Sequence, residues 1–589
     1  MLGLSGPALL TAVSMLAALG ALLFTRIGPD LIFVGVLTLL LLVGVLSPAQ
    51  AFAGLANEGV LSVGALYVVV AGVRDTGAVQ WVVRLVLGYP GNESRAQWRL
   101  GGSTMLFSAF LNNTPVVAML IPAVADWAGR LQVPASRFLM PLSFAAILGG
   151  MCTLIGTSTN LVVNGLLIDA TGSGLGLFSI TPIGLPAALA GLLVLVYASR
   201  HLLPARESAE QQFDNIREYT VEMLVDPGGS MDGQTIQAAG LRHLPGCYLA
   251  EIIRDDEVIA GVGPHRNLQG GDRLVFVGAV DSVINLQRMV GLRPATNQLF
   301  KLDAPRQSRR LVEAVVSDSS PMSAQSIREG GFRTRYGAVV LAVSRQGRRL
   351  AGRIGDIQLQ AGDTLLLEAS PAFLSAQRYS RDFFLVREID STNRPDARRA
   401  GLALSILLGM AGAVAANLVG LLEAALVAAG LMIASGCVTA HAARLSINWT
   451  LLLTIAATIG IGTAFAETGL DHALASGILA AGGNGPVAAL TAVFVGTALL
   501  SLIVTNNAAA VLSFPVALEL SRQLGLEPAA VAIACMLGAS ASFMTPFGYQ
   551  TNLMVMGPGG YRFSDYLRLG SVITVVVGAV VVVMIAWRY

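Results

Sequence analysis

Charged and aromatic residues are scarce in this 589-residue sequence, at 13% and 6% respectively. A soluble protein carries roughly 25% charged residues, so the composition argues against a purely cytosolic enzyme. Lysine is nearly missing, because Lys301 is the single lysine among 38 basic residues. The formal net charge is only +2, and it gives no indication of nucleic-acid binding.

Cysteine is also rare, and the four cysteines stand far apart, at Cys152, Cys247, Cys437 and Cys535. They form no CxxC pair and no Cys/His spacing, which excludes a recognisable zinc motif or disulfide framework. The apolar blocks contain no P-loop, no Ser/His/Asp ordering and no paired carboxylates. We therefore expect neither an enzyme nor a nucleotide-driven pump, and no organic cofactor.

Apolar residues make up 54% of the chain, and the mean hydropathy is +0.67. Because 26 of the 38 basic residues lie between Arg200 and Arg399, two apolar blocks flank one charged insert. A helix needs about 20 apolar residues to cross the hydrocarbon core of a bilayer. Segments that meet or approach this length lie at 4–25, 31–48, 59–74, 138–166, 176–199, 401–421, 424–439, 449–466, 530–557 and 570–587.

The two apolar blocks repeat each other. Asn112-Asn113 recurs as Asn506-Asn507 at an offset of 394, and Thr159-Asn160-Leu161 recurs as Thr551-Asn552-Leu553 at an offset of 392. A nearly constant offset over such a distance indicates duplication. Blocks 1–203 and 397–589 are therefore predicted to be copies of one unit.

The arginines predict how the copies lie in the membrane. If each copy crosses five times, ten arginines of the two blocks fall on the side of the insert, and only Arg522 and Arg588 fall on the other side. This agrees with the positive-inside rule. We expect a polytopic α-helical protein of the cell (inner) membrane with two inverted-topology repeats, a cytoplasmic insert, and both termini periplasmic or extracellular. Such inverted repeats are typical of secondary transporters.

The charged insert is itself duplicated. Leu268-Gln-Gly-Gly-Asp-Arg-Leu274 matches Leu359-Gln-Ala-Gly-Asp-Thr-Leu365 at an offset of 91. Short β-type runs alternate with Gly-Asp turns, which predicts two small α+β modules at 204–299 and 300–396. The repeated Leu-x-x-Gly-Asp-x-Leu pattern resembles the TrkA C-terminal (RCK_C) type of regulatory domain. This resemblance implies an unknown cytosolic small-molecule ligand, whereas the alternative interpretation is a plain spacer.

Polar but uncharged residues interrupt the apolar blocks at two matched pairs of places. Stretches 103–124 and 490–514 are broken midway by Asn pairs, which predicts a re-entrant hairpin in each copy. Stretches 149–160 and 538–552 lie inside spanning runs but contain helix-breaking Gly, Pro and hydroxyl residues. Broken helices expose free N–H and carbonyl groups that suit Na⁺ and an oxyanion. The competing interpretation is helix packing through small residues.

These motifs resemble the divalent anion:sodium symporter family of the ion transporter superfamily, over both blocks. The resemblance implies a Na⁺-coupled symporter of a small divalent anion, sulfate or a di- or tricarboxylate, that works in the lipid bilayer as a homodimer by elevator-type alternating access. For Na⁺, it implies one site of Ser108, Asn112, Asn113 and the Gly156 carbonyl, and a mirror site of Thr505, Asn507 and the Gly548 carbonyl. For the substrate, it implies Asn112, Asn113, Thr114, Thr157, Asn506, Asn507, Ala508 and Tyr549.

The sequence also departs from the family pattern. Asn stands for the family serine at 112 and 506, Ala508 replaces a threonine, and Leu502 stands where a hydroxyl is expected. Branches with similar inserts include sulfate transporters, which places an inorganic oxyanion beside a dicarboxylate. A Na⁺/H⁺ antiporter stays open if Asp75 and Glu467 lie deep in the bundle, and an insert-gated ion channel is a further alternative. A pure sensor leaves the matched Asn pairs unexplained.

Overall fold

The computed structural model divides into two compact units. The first consists of Met1–Ala205, Asn393–Met556 and Tyr561–Tyr589, and the second of Arg206–Thr392 and Gly557–Gly560. Within them, the structure describes residues 5–25, 27–78, 93–131, 133–204, 220–242, 244, 247–254, 257–260, 263–278, 289–294, 310–317, 319–346, 348–350, 354–369, 371–377, 380, 382–388, 397–482 and 485–589.

The described part of the first apolar block consists of helices joined by turns and loops. Its helices are α1 (Gly6–Phe24), α2 (Pro29–Leu42), α3 (Pro48–Phe52), α4 (Glu58–Asp75), α5 (Glu93–Ser108), α6 (Asn113–Arg130), α7 (Leu139–Gly150), α8 (Ser158–Thr171) and α9 (Thr181–Leu202). Capping residues fix several ends. Asn57, for example, accepts hydrogen bonds from Gly59 N (2.9 Å) and Val60 N at the start of α4, and its amide donates to Asp169 (2.7 Å).

The insert contains two five-stranded antiparallel sheets. The first has β1 (Thr220–Val225), β2 (Cys247–Arg254), β3 (Glu257–Ala260), β4 (Arg273–Gly278) and β5 (Leu292–Pro294) in the order β3-β2-β4-β1-β5. The second has β6 (Arg310–Val316), β7 (Ala338–Arg345), β8 (Arg348–Arg349), β9 (Thr364–Ala369) and β10 (Phe383–Glu388) in the order β10-β6-β9-β7-β8, with short helices α10 (Phe332–Tyr336) and α11 (Pro371–Gln377). The two sheets therefore share one strand order.

The repeated Gly-Asp turn holds each sheet together through a buried ion pair. In the first sheet, Arg254 Nε and Nη2 both lie 2.7 Å from the Asp272 carboxylate. In the second, Arg345 makes the same two-pronged contact with Asp363 at 2.7 and 2.8 Å. Both carboxylates are 1% exposed, and such fork-to-fork pairs are the strong ones. The aspartate of the repeated Gly-Asp motif therefore has a structural role, which is to stabilise the fold of its module.

In the second apolar block, the described helices apart from Leu470–Gly482 (α16) follow the order of those in the first. Its helices are α12 (Ala397–Ala415), α13 (Leu421–Ala434), α14 (Ala440–Ser446), α15 (Trp449–Thr468), α16 (Leu470–Gly482), α17 (Pro486–Ser501), α18 (Asn506–Leu524), α19 (Pro528–Ser540), α20 (Gln550–Met556) and α21 (Phe563–Arg588). Helices α5 and α17 end at Ser108 and Ser501, and α6 and α18 begin at Asn113 and Asn506. Both correspondences give an offset of 393.

Five helical segments among the described residues are long and apolar enough to cross a membrane: 48–75, 181–202, 397–415, 449–468 and 563–588. Shorter apolar helices accompany them, among them α2, α7, α13, α17 and α19. The two runs expected to be interrupted are each divided into two helices. Helix α7 ends at Gly150 before α8 begins, and α19 ends at Ser540 before α20 begins. The chain is a multi-pass membrane protein.

Candidate functional site

Two four-residue turns expose helix beginnings in the first unit. Residues 109–112 join α5 to α6, and residues 502–505 join α17 to α18. Asn112 precedes α6 without a side-chain capping bond, whereas Thr505 Oγ1 accepts from Ala508 N at 3.4 Å. The first N–H groups of a helix lack internal partners and carry partial positive charge. Each turn therefore presents neutral groups that attract an anion.

Asn113, the first residue of α6, is fully buried. In the amide orientation that satisfies its neighbours, its nitrogen lies 2.5 Å from Ser108 Oγ and 3.0 Å from the Ala146 carbonyl oxygen. The same nitrogen lies 3.3 Å from the Gly156 carbonyl oxygen, and the Asn113 oxygen accepts from Tyr549 OH at 2.5 Å. The structure thus brings Ser108, Asn113 and the Gly156 carbonyl together, as the sequence predicts for the first Na⁺ site.

Tyr549 connects the two copies. It lies between α19 and α20 of the second copy, yet its OH lies 2.5 Å from the Asn113 side chain and 3.2 Å from Thr157 Oγ1 of the first copy. Thr157 and Tyr549 are 1% and 6% exposed. Three of the predicted substrate residues, Asn113, Thr157 and Tyr549, therefore form one buried polar cluster.

Asn507 makes the reciprocal contact. Its Oδ1 accepts from Ser158 Oγ at 3.2 Å and from Thr159 Oγ1 at 3.1 Å, at the start of α8 in the first copy. Its own backbone N–H donates to Asn506 Oδ1 at 3.0 Å. The turn of each copy thus touches the broken helix of the other copy, so the site is built jointly by both.

Two further asparagines hold the broken helices in shape. Asn160 Nδ2 donates to the carbonyl oxygens of Gly150 (3.1 Å) and Thr153 (3.0 Å) across the gap between α7 and α8. Asn552 Nδ2 donates to those of Ser542 (2.9 Å) and Thr545 (3.1 Å) in the matching gap. Buried carbonyls without helical partners need such donors. These two asparagines satisfy the unwound backbone in both copies.

Asn160 and Asn552 differ in the hydrogen bonding of their side-chain oxygen, Oδ1. Asn552 Oδ1 accepts from Ser143 Oγ at 2.8 Å. The repeat places Cys535 where the first copy has Ser143, and the Cys535 thiol donates instead to the Ala510 carbonyl at 3.3 Å. Asn160 Oδ1 is buried and has no hydrogen-bond partner among the described residues.

A serine supplies the hydroxyl that the sequence comparison expects at Leu502. Ser501 ends α17 as Ser108 ends α5, and its Oγ donates to the Ala539 carbonyl at 2.8 Å and contacts Ser542 Oγ. A Cβ built on Gly548 would lie 2.9 Å from the Ser501 carbonyl oxygen, and one built on Gly156 would lie 2.9 Å from that of Ser108. The expected loss of this hydroxyl is therefore wrong, because the copies align at this helix end with an offset of 393.

The other predicted residues are placed less closely together. Gly548 packs on Ser501, and the described contacts do not join it to Asn507. Ala508 is buried, Asn112 is half-buried, and Thr114 Oγ1 lies 3.4 Å from Gln550 Oε1. Sequence reasoning missed eight polar residues of this region. They are Ser143, Ser158, Thr159, Asn160, Ser501, Ser542, Gln550 and Asn552. The repeat of Thr159-Asn160 as Thr551-Asn552 was the signal for several of them.

The candidate site is neutral in the part of the chain that the structure describes. The hydrogen-bond partners given above for Asn113, Asn507 and Tyr549 are amides, hydroxyls and backbone groups. Asp75 instead pairs with Arg74 (3.2 Å) at the end of α4, and Glu467 accepts from Gln50 (2.8 Å) at an exposed position. No group of three or more His, Cys, Asp and Glu residues suited to a metal ion occurs among the described residues.

Apolar helices of spanning length, with neutral polar groups buried where helices break, define a multi-pass membrane transporter. A comparison with protein families identifies the transporter family. The chain belongs to the citrate transporter family CitMHS, whose model matches residues 19–512 and 425–589. The protein is thus an anion transporter by family, and its family and relatives are transporters rather than enzymes.

Several curated proteins are similar over nearly the whole chain. A putative sulfur deprivation response regulator of Chlamydomonas reinhardtii is 40% identical over 551 residues, which cover 90% of this chain and 93% of that protein. The uncharacterized transporter YfbS of Escherichia coli is 31% identical over 603 residues, 98% of each chain. A probable sodium/sulfate cotransporter 3 of C. reinhardtii is 27% identical over 786 aligned positions, 97% of this chain and 87% of that protein.

Proposed function

We propose that this protein is a sodium-coupled symporter that moves a small divalent oxyanion, sulfate in the first place, into the cell. The observation that carries the proposal is the buried cluster of Asn113, Tyr549 and Thr157, which both apolar blocks contribute. Its neutral donors would hold an anion without a permanent cation. An arginine in the site would bind the anion more strongly and slow its release.

The proposed sodium ligands lie around the same cluster. Ser108 Oγ and the Gly156 carbonyl oxygen lie 2.5 and 3.3 Å from the Asn113 amide nitrogen. The Asn113 oxygen would join these two oxygen atoms when the amide turns over, because Ser108 Oγ then lies 2.5 Å from it. Oxygen ligands of this kind replace the water around Na⁺. Thr505, Asn507 and Gly548 would form the mirror site. A cation next to the substrate would also balance its negative charge, which couples the two bindings.

Sulfate is favoured over a dicarboxylate by two arguments. Three relatives are named as sodium/sulfate cotransporters or probable ones. In addition, Ala508 stands where the related pattern has a threonine, so the second turn lacks that hydroxyl donor for a long carboxylate. The family name points to citrate, and the competition between these substrates must therefore be measured.

The test is uptake by the purified full-length protein in proteoliposomes. We expect labelled sulfate to accumulate under an inward Na⁺ gradient and not under a matched choline gradient, with labelled succinate and citrate taken up more slowly. Asn113→Ala and Asn507→Ala should each reduce sulfate uptake to background with unchanged expression. Gly102→Ala is a matched control, because Gly102 lies on α5 with open space around it.

Other outcomes would support the rival functions. Sodium exchange driven by a pH gradient, without any anion, would indicate an antiporter. Downhill flux without saturation would indicate a channel. Neither is favoured by the structure: Asp75 and Glu467, the carboxylates that an antiporter would need in its core, lie at helix ends and have other partners.

The transport cycle is proposed from the duplication. Two copies of opposite orientation, each crossing five times with a re-entrant hairpin, would let the joint site face either side by an elevator-type movement within a homodimer. In this arrangement the insert is cytoplasmic and both termini are outside. Cysteine labelling of single-cysteine variants at the exposed residues 444 and 522 from either side tests this, since they should be labelled from opposite sides.

The insert is proposed to regulate transport as a pair of RCK_C-like modules that bind a cytosolic ligand. The shared strand order of the two sheets and their matching Arg–Asp pairs support this. Deletion of residues 206–395 should then alter the rate or its response to metabolites. Unchanged transport would favour a spacer.

A further inference from the structure

An open groove runs along the surface of the first unit between α9 and α21. Its volume is about 700 Å³, and its lining is almost entirely apolar. Val572 lines it from α21, and Leu193, Val194, Tyr197, Ala198 and His201 are among the residues that line it from α9. Leu193 and Tyr197 are 58% and 74% exposed. In a multi-pass membrane protein, such an apolar surface faces the hydrocarbon chains of lipids.

The two helices run in opposite directions along the groove. A Cβ built on Gly191 of α9 would lie 3.1 Å from Val577 Cγ2 of α21. Six residues further along α9, Tyr197 shares the groove with Val572, which stands five residues earlier in α21. The last turns of α9 therefore lie beside the first turns of α21.

Basic side chains gather at the end of the groove where α9 ends. Arg200 and His201 belong to the last turn of α9, and both are exposed. Arg568 is also exposed; it lies one turn before Val572 on the same face of α21, and the antiparallel spacing brings it level with Arg200. Arg137 reaches this end too, because its Nη1 donates to the Arg200 carbonyl oxygen at 2.9 Å.

Acidic residues are few around this end. Helix α9 contains none, and Asp565 is the single acidic residue of α21. Asp565 is 3% exposed, and its carboxylate accepts from Arg562 N at 2.8 Å at the start of α21. Helix α5, which is joined here by the hydrogen bond from Ser199 Oγ to Gln97 Oε1 (3.2 Å), brings two arginines against one glutamate. The exposed end of the groove therefore has an excess of positive charge.

The groove is as long as one half of a bilayer is thick. Residues 193–202 of α9 extend about 14 Å at 1.5 Å per residue, close to half of the ~30 Å hydrocarbon core. An acyl chain of one leaflet therefore fits along it. Arginines at the end of a spanning helix extend toward the headgroup region, and basic pockets between such helices suit acidic headgroups.

We propose that the groove between α9 and α21 binds a phospholipid with an acidic headgroup. One acyl chain lies along Leu193 and Tyr197, and the phosphate pairs with Arg200 and Arg568. A second copy of this chain fits the groove less well. A two-fold axis along the membrane normal would bring the basic ends of both copies to the same level, where like charges repel.

Native mass spectrometry of the purified full-length protein tests this, because it counts bound lipids and protein copies together. The probes are phosphatidylglycerol and phosphatidylcholine with identical acyl chains. We expect the protein to bind phosphatidylglycerol at least about tenfold more tightly. Combining Arg200→Gln with Arg568→Gln should abolish this preference. The matched control is Arg588→Gln, which removes an exposed arginine from the opposite end of α21 and should leave the preference unchanged.

A second pair of variants tests the groove itself. Val572→Trp fills it and should weaken the binding of both lipids. Val575→Trp is the matched control, because Val575 lies on the same helix, is 70% exposed and is outside the groove lining. All these replaced side chains are on the surface, so we expect melting temperatures close to that of the unchanged protein.

Three results would overturn the proposal. An equal affinity for the two lipids, or an unchanged preference in the double arginine variant, would refute the acidic headgroup. Displacement of phosphatidylglycerol by inorganic phosphate alone would indicate a simple anion site without a role for the groove. A loss of dimer mass in Val572→Trp, without a loss of bound lipid, would show that a second copy occupies the groove.

Discussion

Removing the Tyr549 hydroxyl gives a direct measure of how the two copies cooperate. The OH group lies 2.5 Å from the Asn113 side chain and 3.2 Å from Thr157 Oγ1 in a buried place. Tyr549→Phe keeps the aromatic ring, so the volume of the side chain is nearly conserved. The substitution therefore leaves packing intact and removes only the hydrogen bonds.

A buried polar group that loses its partner costs about 1–3 kcal/mol. Asn113 is a proposed ligand, so a misplaced amide should weaken binding as well as folding. If the whole cost falls on binding, the half-saturating concentration of Na⁺ or sulfate rises about 5- to 150-fold, since 1.4 kcal/mol corresponds to a factor of ten. The maximal rate should change much less, because the turns and broken helices keep their positions.

The assay is the initial rate of labelled sulfate uptake as a function of Na⁺ and of sulfate. Tyr561→Phe is the matched control: its OH accepts from Met140 N at 2.8 Å and donates to the Ser136 carbonyl, away from the cluster. Both variants should lose a comparable amount of thermal stability, but only Tyr549→Phe should lose apparent affinity. Unchanged half-saturation in Tyr549→Phe, or an equal rise in the control, would show that the tyrosine has a purely structural role.

Three further substitutions test the surroundings. Asn552→Ala leaves two backbone carbonyls unpaired at about 1–3 kcal/mol each, and both the melting temperature and sulfate uptake should fall. Gly184→Ala brings a Cβ into the backbone of the first broken helix and should cost about 1–3 kcal/mol, whereas Gly102→Ala should be neutral in the same thermal assay. Asp363→Asn leaves Arg345 without its ion pair; because Arg345 is 26% exposed, we expect a loss of about 3 kcal/mol or less, seen as faster proteolysis of the insert with uptake still measurable.

Local patterns in the sequence were sufficient to predict the helical interruptions. Gly, Pro and hydroxyl residues in matched places predicted the gaps after α7 and α19, and each gap is present. Three of the four residues predicted for the first Na⁺ site, Ser108, Asn113 and Gly156, also lie together. These features follow from backbone chemistry, which acts over a few residues and therefore leaves a readable pattern.

The exact alignment between the two copies was harder to predict from the sequence than the helical interruptions. An Asn-Asn doublet can be aligned at two offsets, and matching the doublets gives 394, which puts Leu502 opposite Ser108. The helix ends give 393 and bring in Ser501. A one-residue choice of this kind depends on where a helix begins in three dimensions. The contacts of Asn160 and Asn552 with backbone atoms seven and ten residues away likewise have no local signal.

Two reciprocal contacts limit how this duplicated chain can be divided into separately expressed halves. Tyr549 contacts Asn113, and Asn507 contacts Ser158 and Thr159. In each half, one loop makes its native contacts only with residues of the other half. Expressed alone, either half would keep its asparagines but lack the surface that orients them. Co-expression of the two halves, in contrast, supplies both sets of contacts. We therefore expect it to rebuild the complete candidate site.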